Sequence, residues 1–108
     1  MDWRSAWGEH AMMIPTPAQF RAARALLNWS AEELANRADV ARMTIARLED
    51  EREDKHETVS VGVAKKAVGA LEAAGIVFVW PDTDLGEGVR LASAGPRYQM
   101  PQRKAATT

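Results

Sequence analysis

The chain has 108 residues, no cysteine, two histidines and a formal net charge of −1 at pH 7. That length suits one small domain with a modest core, the lack of cysteine excludes a disulfide framework and thiolate chemistry, and His10 and His56 stand apart without ligand spacing, which argues against a metal site. No apolar run is long enough to span a membrane, and the N-terminal MDWRSAWGEHAMM, with Asp2 and Glu9, has no secretory apolar segment, so a soluble cytoplasmic protein without a cofactor is expected.

Residues 1–15 read as an N-terminal arm. Trp3 and Trp7 are four apart and would share one helical face, either covering the core or meeting a partner. A first helix should start at Thr16-Pro17, because threonine caps and proline is tolerated in the first turn. Phe20, Ala23 and Leu27 supply its apolar stripe, and Asn28-Trp29 ends it.

Ser30 should cap a second helix, with Glu33 three residues on completing a capping box. Leu34, Ala35 and Ala38 lie on its inner face, and Asp39-Val40 breaks the pattern. The position of Asp39 favours a left-handed backbone, which aspartate tolerates better than most residues. A third helix follows from about Ala41 to Asp50, with Ile45 and Leu48 inward. Two short helices around a tight turn, the second with its polar face free, make a helix-turn-helix arrangement that places side chains in the DNA major groove. The residues left free are Arg42, Met43, Thr44 and Arg47, which are chemically able to reach base edges and phosphates.

Residues 51–59 form a charged loop, and a fourth helix is expected over 60–74 with Val61, Ala64, Val68 and Leu71 buried. Gly62 and Gly69 weaken that helix or admit close approach of another element, and Gly75 terminates it. The run IVFVW (76–80), a turn-rich PDTDLGEG and the short VRL (89–91) predict a β-hairpin. Its first strand is apolar on both faces: Ile76, Phe78 and Trp80 on one, Val77 and Val79 on the other. A lone hairpin is marginal in water, so it must pack on helices one and four or pair with another chain. In the second case Ile76, Phe78 and Trp80 are the candidate dimer contacts. Residues 93–108 read as a flexible basic tail.

Charge distribution matters more than the net value. Acids crowd into Glu49, Asp50, Glu51, Glu53, Asp54 and Glu57, whereas Arg21 and Arg24 in the first helix and Arg97, Arg103 and Lys104 in the tail have no acids beside them, so a local basic face is an option.

Residues 19–49, QFRAARALLNWSAEELANRADVARMTIARLE, resemble the Cro/CI-like (XRE) family of helix-turn-helix transcription regulators. The resemblance rests on the Arg-rich first helix, Glu32-Glu33-Leu34-Ala35, Val40 in the turn, Thr44-Ile45 and the closing Leu48-Glu49. The segment LEAAGIVFVW followed by GVRL also resembles the C-terminal hairpin of a small bacterial subgroup. The resemblance covers roughly 16–92 and implies a mainly α fold: a four-helix lambda-repressor-like helix-turn-helix domain over 16–75, then a short β-hairpin over 76–92.

It also implies roles. Arg42, Met43, Thr44 and Arg47 match groove-facing positions, where an arginine gripping guanine provides about 1–3 kcal/mol of discrimination and Met43 or the methyl of Thr44 would meet a thymine methyl. Ser30 matches a phosphate contact. Arg24 and Glu49 match a structural ion pair between the first and third helices, and Leu34, Ala35, Val40, Ile45 and Leu48 match core positions. The chain departs from the family at Ala31, where glutamine is common, at Asp39, where glycine is common, at Ala41, where a Ser or Thr cap is common, and in its longer acidic loop after Glu49. Each departure weakens phosphate binding.

The expected function is a sequence-specific DNA-binding regulator, a homodimer on an inverted repeat of double-stranded DNA, with RNA polymerase as a further protein partner. The alternative is an antitoxin, or another protein-interaction module on the same fold, holding a toxin. Enzyme chemistry is disfavoured: no nucleophile–histidine pairing or phosphate-binding glycine loop occurs, and adjacent Glu32 and Glu33 point apart on a helix.

Overall fold

The computed structural model describes residues 14–52 and 59–92. These form four helices, α1 (Pro17–Leu27), α2 (Ala31–Ala38), α3 (Arg42–Leu48) and α4 (Val61–Ala73), followed by an antiparallel hairpin of β1 (Ile76–Val79) and β2 (Gly88–Leu91). The mainly α order with a terminal hairpin is therefore as expected. Trp3, Trp7, the acids of 53–58 and the tail from 93 lie outside the described residues, but Ile14 packs against the core and Pro15 is fully buried, so the last two residues assigned to the arm belong to the domain.

The helix ends follow from local chemistry. The Thr16 hydroxyl accepts the Gln19 N–H while the Gln19 side chain accepts the Thr16 N–H, a complete capping box ahead of Pro17. Ser30 caps α2 by accepting the Glu33 N–H, but the reciprocal half of the expected box is replaced: the Glu33 carboxylate turns along the helix to Arg37, at 2.9 Å. Asn28 and Asp39 end α1 and α2 with φ of 60° and 58°, the left-handed conformation that short polar side chains tolerate. Gly75, at φ 106°, turns the chain from α4 into β1.

The core is built from Phe20 and Ala23 of α1, Leu34, Ala35 and Ala38 of α2, Ile45 and Leu48 of α3, Ala64, Ala67 and Leu71 of α4, and Ile76 and Phe78 of β1. α2 lies between α3 and α4, and small side chains set the closeness of that packing. In α4 the inward positions are Ala64, Ala67 and Leu71; Val61, at the first helical position, is left 39% exposed. A methyl group placed at Gly69 meets nothing within 4 Å, so no close approach requires this glycine. Gly69→Ala should therefore stabilise the domain by about 0.5–1 kcal/mol; a higher denaturant midpoint at unchanged slope is the expected result, and a lower midpoint would show that the backbone here is not free to be an ordinary helix.

The hairpin is held to the helices from one side. Register pairs Ile76 with Leu91, Val77 with Arg90, Phe78 with Val89 and Val79 with Gly88, and the Ala92 N–H donates to the Gly75 carbonyl at 2.7 Å. β2 packs on α1 and β1 on α4. The Phe78 ring meets Phe20 edge-on at 6.2 Å and lies 6.4 Å from Trp80. This corrects the assignment of Ile76, Phe78 and Trp80 to a dimer seam. Ile76 and Phe78 are in the chain's own core and Trp80 is half-buried against it, because α1 and α4 already offer the apolar surface that a marginal hairpin needs. Val77 and Val79, on the opposite face, are 43% and 37% exposed.

Gln19 is a buried polar side chain with every polar atom satisfied. Its Nε2 donates to the carbonyls of Val79 (3.0 Å) and Gly88 (2.9 Å), and its Oε1 accepts the Thr16 N–H at 2.9 Å. The two carbonyls need donors and the amide N–H needs an acceptor, so only a primary amide of this reach fits. One side chain thus starts α1 and ties it to the loop end of both strands. Gln19→Leu should cost about 1–2 kcal/mol, since the hydrogen bonds are lost while the volume is kept, and amide exchange should rise first in the hairpin. Uniform loss of protection would mean the hairpin is not a separable unit. In the hairpin loop, the Asp82 carboxylate accepts the N–H groups of Leu85 and Asp84, which hold its pKa below the ordinary value.

Candidate nucleic-acid interface

α2 and α3 are joined by the turn Asp39–Ala41, with Val40 partly buried against the core. The Lys66 Nζ of α4 donates to the Asp39 carbonyl at 3.3 Å, so a cation stands at the acidic turn. Ala41 caps α3 without a side-chain hydrogen bond, as its chemistry requires.

Burial along α3 separates its faces. Ile45 and Leu48 point inward, whereas Arg42, Met43, Ala46 and Arg47 are exposed, Met43 at 61%. At about 100° per residue, the outward arc runs in the order Arg42, Ala46, Met43, Arg47 over about 140°. Two arginines therefore flank two apolar groups. Thr44 falls outside this arc, beside Leu48, and is half-buried. It was expected among the groove-facing residues, but helical geometry moves it to the rim. Ala46 occupies the exposed arc instead, at a spacing of four from Arg42 and three from Met43.

The charges around α3 are arranged unequally. The three acids that follow the helix each have an arginine. Glu49 receives a two-pronged grip from Arg24, Nε at 2.6 Å and Nη2 at 2.7 Å. Asp50 pairs with Arg52 at 2.7 Å, and Glu51 pairs with Arg21, whose other nitrogen donates to the Glu49 carbonyl at 2.8 Å. Arg24 also donates to the Trp29 carbonyl at 3.0 Å, and the hydrogen-bonded Glu49 carboxylate raises its pKa against the opposing effect of burial. Arg37 pairs with Glu33 and lies over the Trp29 ring, 4.4 Å from its centre. Arg21 and Arg24 are thus committed to acids and do not form the free basic face that their sequence context offered. Arg42 and Arg47, by contrast, make no ion pair or side-chain hydrogen bond with any described residue.

Ser30 sits exposed at the N-terminus of α2. Its oxygen accepts the Glu33 N–H, which leaves its own proton available to an acceptor. Among the described residues no helix is long and apolar enough to cross a membrane. Comparison of the chain with family profiles, curated proteins and solved structures finds no match.

Proposed function

We propose that this protein is a sequence-specific DNA-binding transcriptional regulator of the Cro/CI-like type, acting as a homodimer on an inverted repeat. The observation that carries the proposal is the contrast around α3. Arg42 and Arg47 stand exposed without a described partner, while the neighbouring acids Glu49, Asp50 and Glu51 are each neutralised by an arginine. A polyanion approaching α3 meets two available cations beside three carboxylates that are already paired, which locally offsets the net charge of −1.

In this reading α3 enters the major groove. Arg42 and Arg47 grip guanine edges or phosphates, and Ser30 donates to a phosphate at the start of α2. Thr44, on the rim, serves the backbone rather than a base. Two such helices in a dimer would lie one DNA turn apart, at about 34–36 Å. Such a regulator works in the cytoplasm beside the DNA, and RNA polymerase is the protein it would meet there.

A second reading is favoured by the exposed Val77 and Val79: a protein-interaction module such as an antitoxin, holding a toxin against the outer face of the hairpin. Binding selection with random duplex DNA at physiological salt separates the two. Enrichment of an inverted repeat supports the regulator and gives the half-site spacing; a folded protein that enriches nothing overturns it in favour of the partner-binding module.

A further inference from the structure

The outer face of the hairpin carries charge at both ends and apolar groups between. Residues paired across strands share a face, so Val77 stands beside Arg90 and Val79 beside Gly88 on the outward side. Val77 and Val79 are partly exposed, and Arg90 is exposed toward the root of the hairpin. The loop at the other end holds Asp82, Asp84 and Glu87 with no basic residue, and Leu85 there is 71% exposed. Asp82 keeps this loop in shape: its carboxylate accepts the N–H groups of Asp84 and Leu85, and its own N–H donates to the Leu85 carbonyl at 2.9 Å. Asp84, Glu87 and Arg90 make no ion pair with any described residue. One small surface is thus basic near its root, apolar in its middle and acidic at its tip.

We infer that this surface is the seam of the homodimer and that the same surface of a second copy covers it; the inference rests on the dimeric reading above and supplies the contact which that reading leaves unnamed. A surface that meets itself must be self-complementary about a two-fold axis. Two such axes lie between sheets stacked face to face. An axis along the strands sets root on root and tip on tip, so that arginine faces arginine and acid faces acid. An axis across the strands sets root on tip. With that axis at the level of Phe78 and Val89, Val77 lies over Val79 of the second copy and Arg90 lies over its Gly88. A methyl placed at Gly88 meets nothing within 4 Å, so the guanidinium has room there to reach the acidic loop. Stacked sheets lie about 10 Å apart, a gap that facing valines fill. The charge favours a second copy over the toxin of the second reading, since each copy brings the acids that Arg90 lacks. Two strands of four residues make a small face beside the roughly 800 Å² per partner of a standard interface. The dimer is therefore reversible in solution and is completed on DNA, where neighbouring half-sites hold both copies at high effective concentration.

The test is sedimentation equilibrium of the full chain over a range of concentrations, without DNA, so that failure of the seam and failure of DNA recognition are distinguishable. A reversible monomer–dimer equilibrium that weakens with added salt is expected. Arg90→Glu should raise the dimer Kd at least about tenfold, and the pair Asp84→Lys, Glu87→Lys should do the same. The three changes together exchange the charges of root and tip and should restore the dimer. All three positions are exposed, so each variant should keep the Tm of the unaltered chain. A chain that stays monomeric at every concentration would overturn the seam and leave the face to the partner of the second reading. A dimer indifferent to Arg90→Glu, or a folded triple variant that does not regain it, would overturn the seam as well and place the dimer contact elsewhere.

Discussion

Arg24→Met is expected to destabilise the domain by about 3 kcal/mol, the low end of the range for a broken buried ion pair. Glu49 keeps only 9% of its side chain exposed, and Arg24 keeps 21%. Removing the guanidinium strands a carboxylate in surroundings that desolvate it, and it also frees the Trp29 carbonyl that Arg24 holds at the α1–α2 junction. For a domain of this size the loss corresponds to a fall in Tm of roughly 12–24 °C. The double variant Arg24→Met, Glu49→Leu should recover much of it, since no unpaired charge then remains. A double variant as unstable as the single one would show that packing by the arginine stem, rather than the stranded charge, dominates. Arg21 and Glu51 form a contrasting pair. They are 43% and 65% exposed, and an exposed pair of this kind contributes only about 0–1 kcal/mol.

Arg42→Ala, Arg47→Ala should abolish selective DNA binding and leave the fold untouched. Each arginine that grips a guanine contributes about 1–3 kcal/mol, so loss of both predicts at least about a thirtyfold drop in affinity for the selected site. Neither side chain has a described partner in the fold, so unfolding free energy should change by no more than about 0.5 kcal/mol. The salt dependence separates their roles. Removing a phosphate contact lowers the slope of log affinity against log salt by about 0.9, whereas removing a base reader relaxes sequence preference at one position. Retained affinity and preference in a folded variant would place the interface elsewhere than α3.

The two variants probe different consequences of the same seven-residue helix. Arg24 and Glu49 act on where α3 sits, by clasping its C-terminal end to α1. Arg42 and Arg47 act on what it presents. A destabilised Arg24 variant would bind DNA poorly through loss of folded protein, so its affinity should recover under conditions that restore the fold, while the Arg42, Arg47 variant should not recover.

Much of this architecture is determined by local chemistry and so was legible in the chain. The apolar spacing of Leu34, Ala35 and Ala38, the Ser30 cap, the turn at Asp39 and the Gly75 stop all depend on residues within one or two turns of each other, and each is found as expected. The Arg24–Glu49 pair was legible only through the family resemblance, since nothing local links residues 25 apart, and the geometry bears it out. Partnering across the fold was not legible. Arg21 looked available for DNA because its own helix has no acid, but the chain folds Glu51 onto it. Glu33 looked like half of a capping box, but Arg37 one turn on is a stronger partner for a carboxylate than a single backbone N–H.

The hairpin marks the boundary most clearly. The unbroken apolar run over 76–80 determined that a strand would form with two apolar faces, and nothing in it distinguished the face that meets helices from the face left outside. Tertiary structure decided that, placing Ile76 and Phe78 inward and Val77 and Val79 outward, because α1 and α4 supply the apolar surface that the inward face covers, and Gln19 of α1 ties the carbonyls of Val79 and Gly88 to it. Local capping and periodicity act over a few residues and are written in the sequence order. The choice of buried face and of ion-pair partner depends on which distant segments meet, and that is settled only when the helices pack.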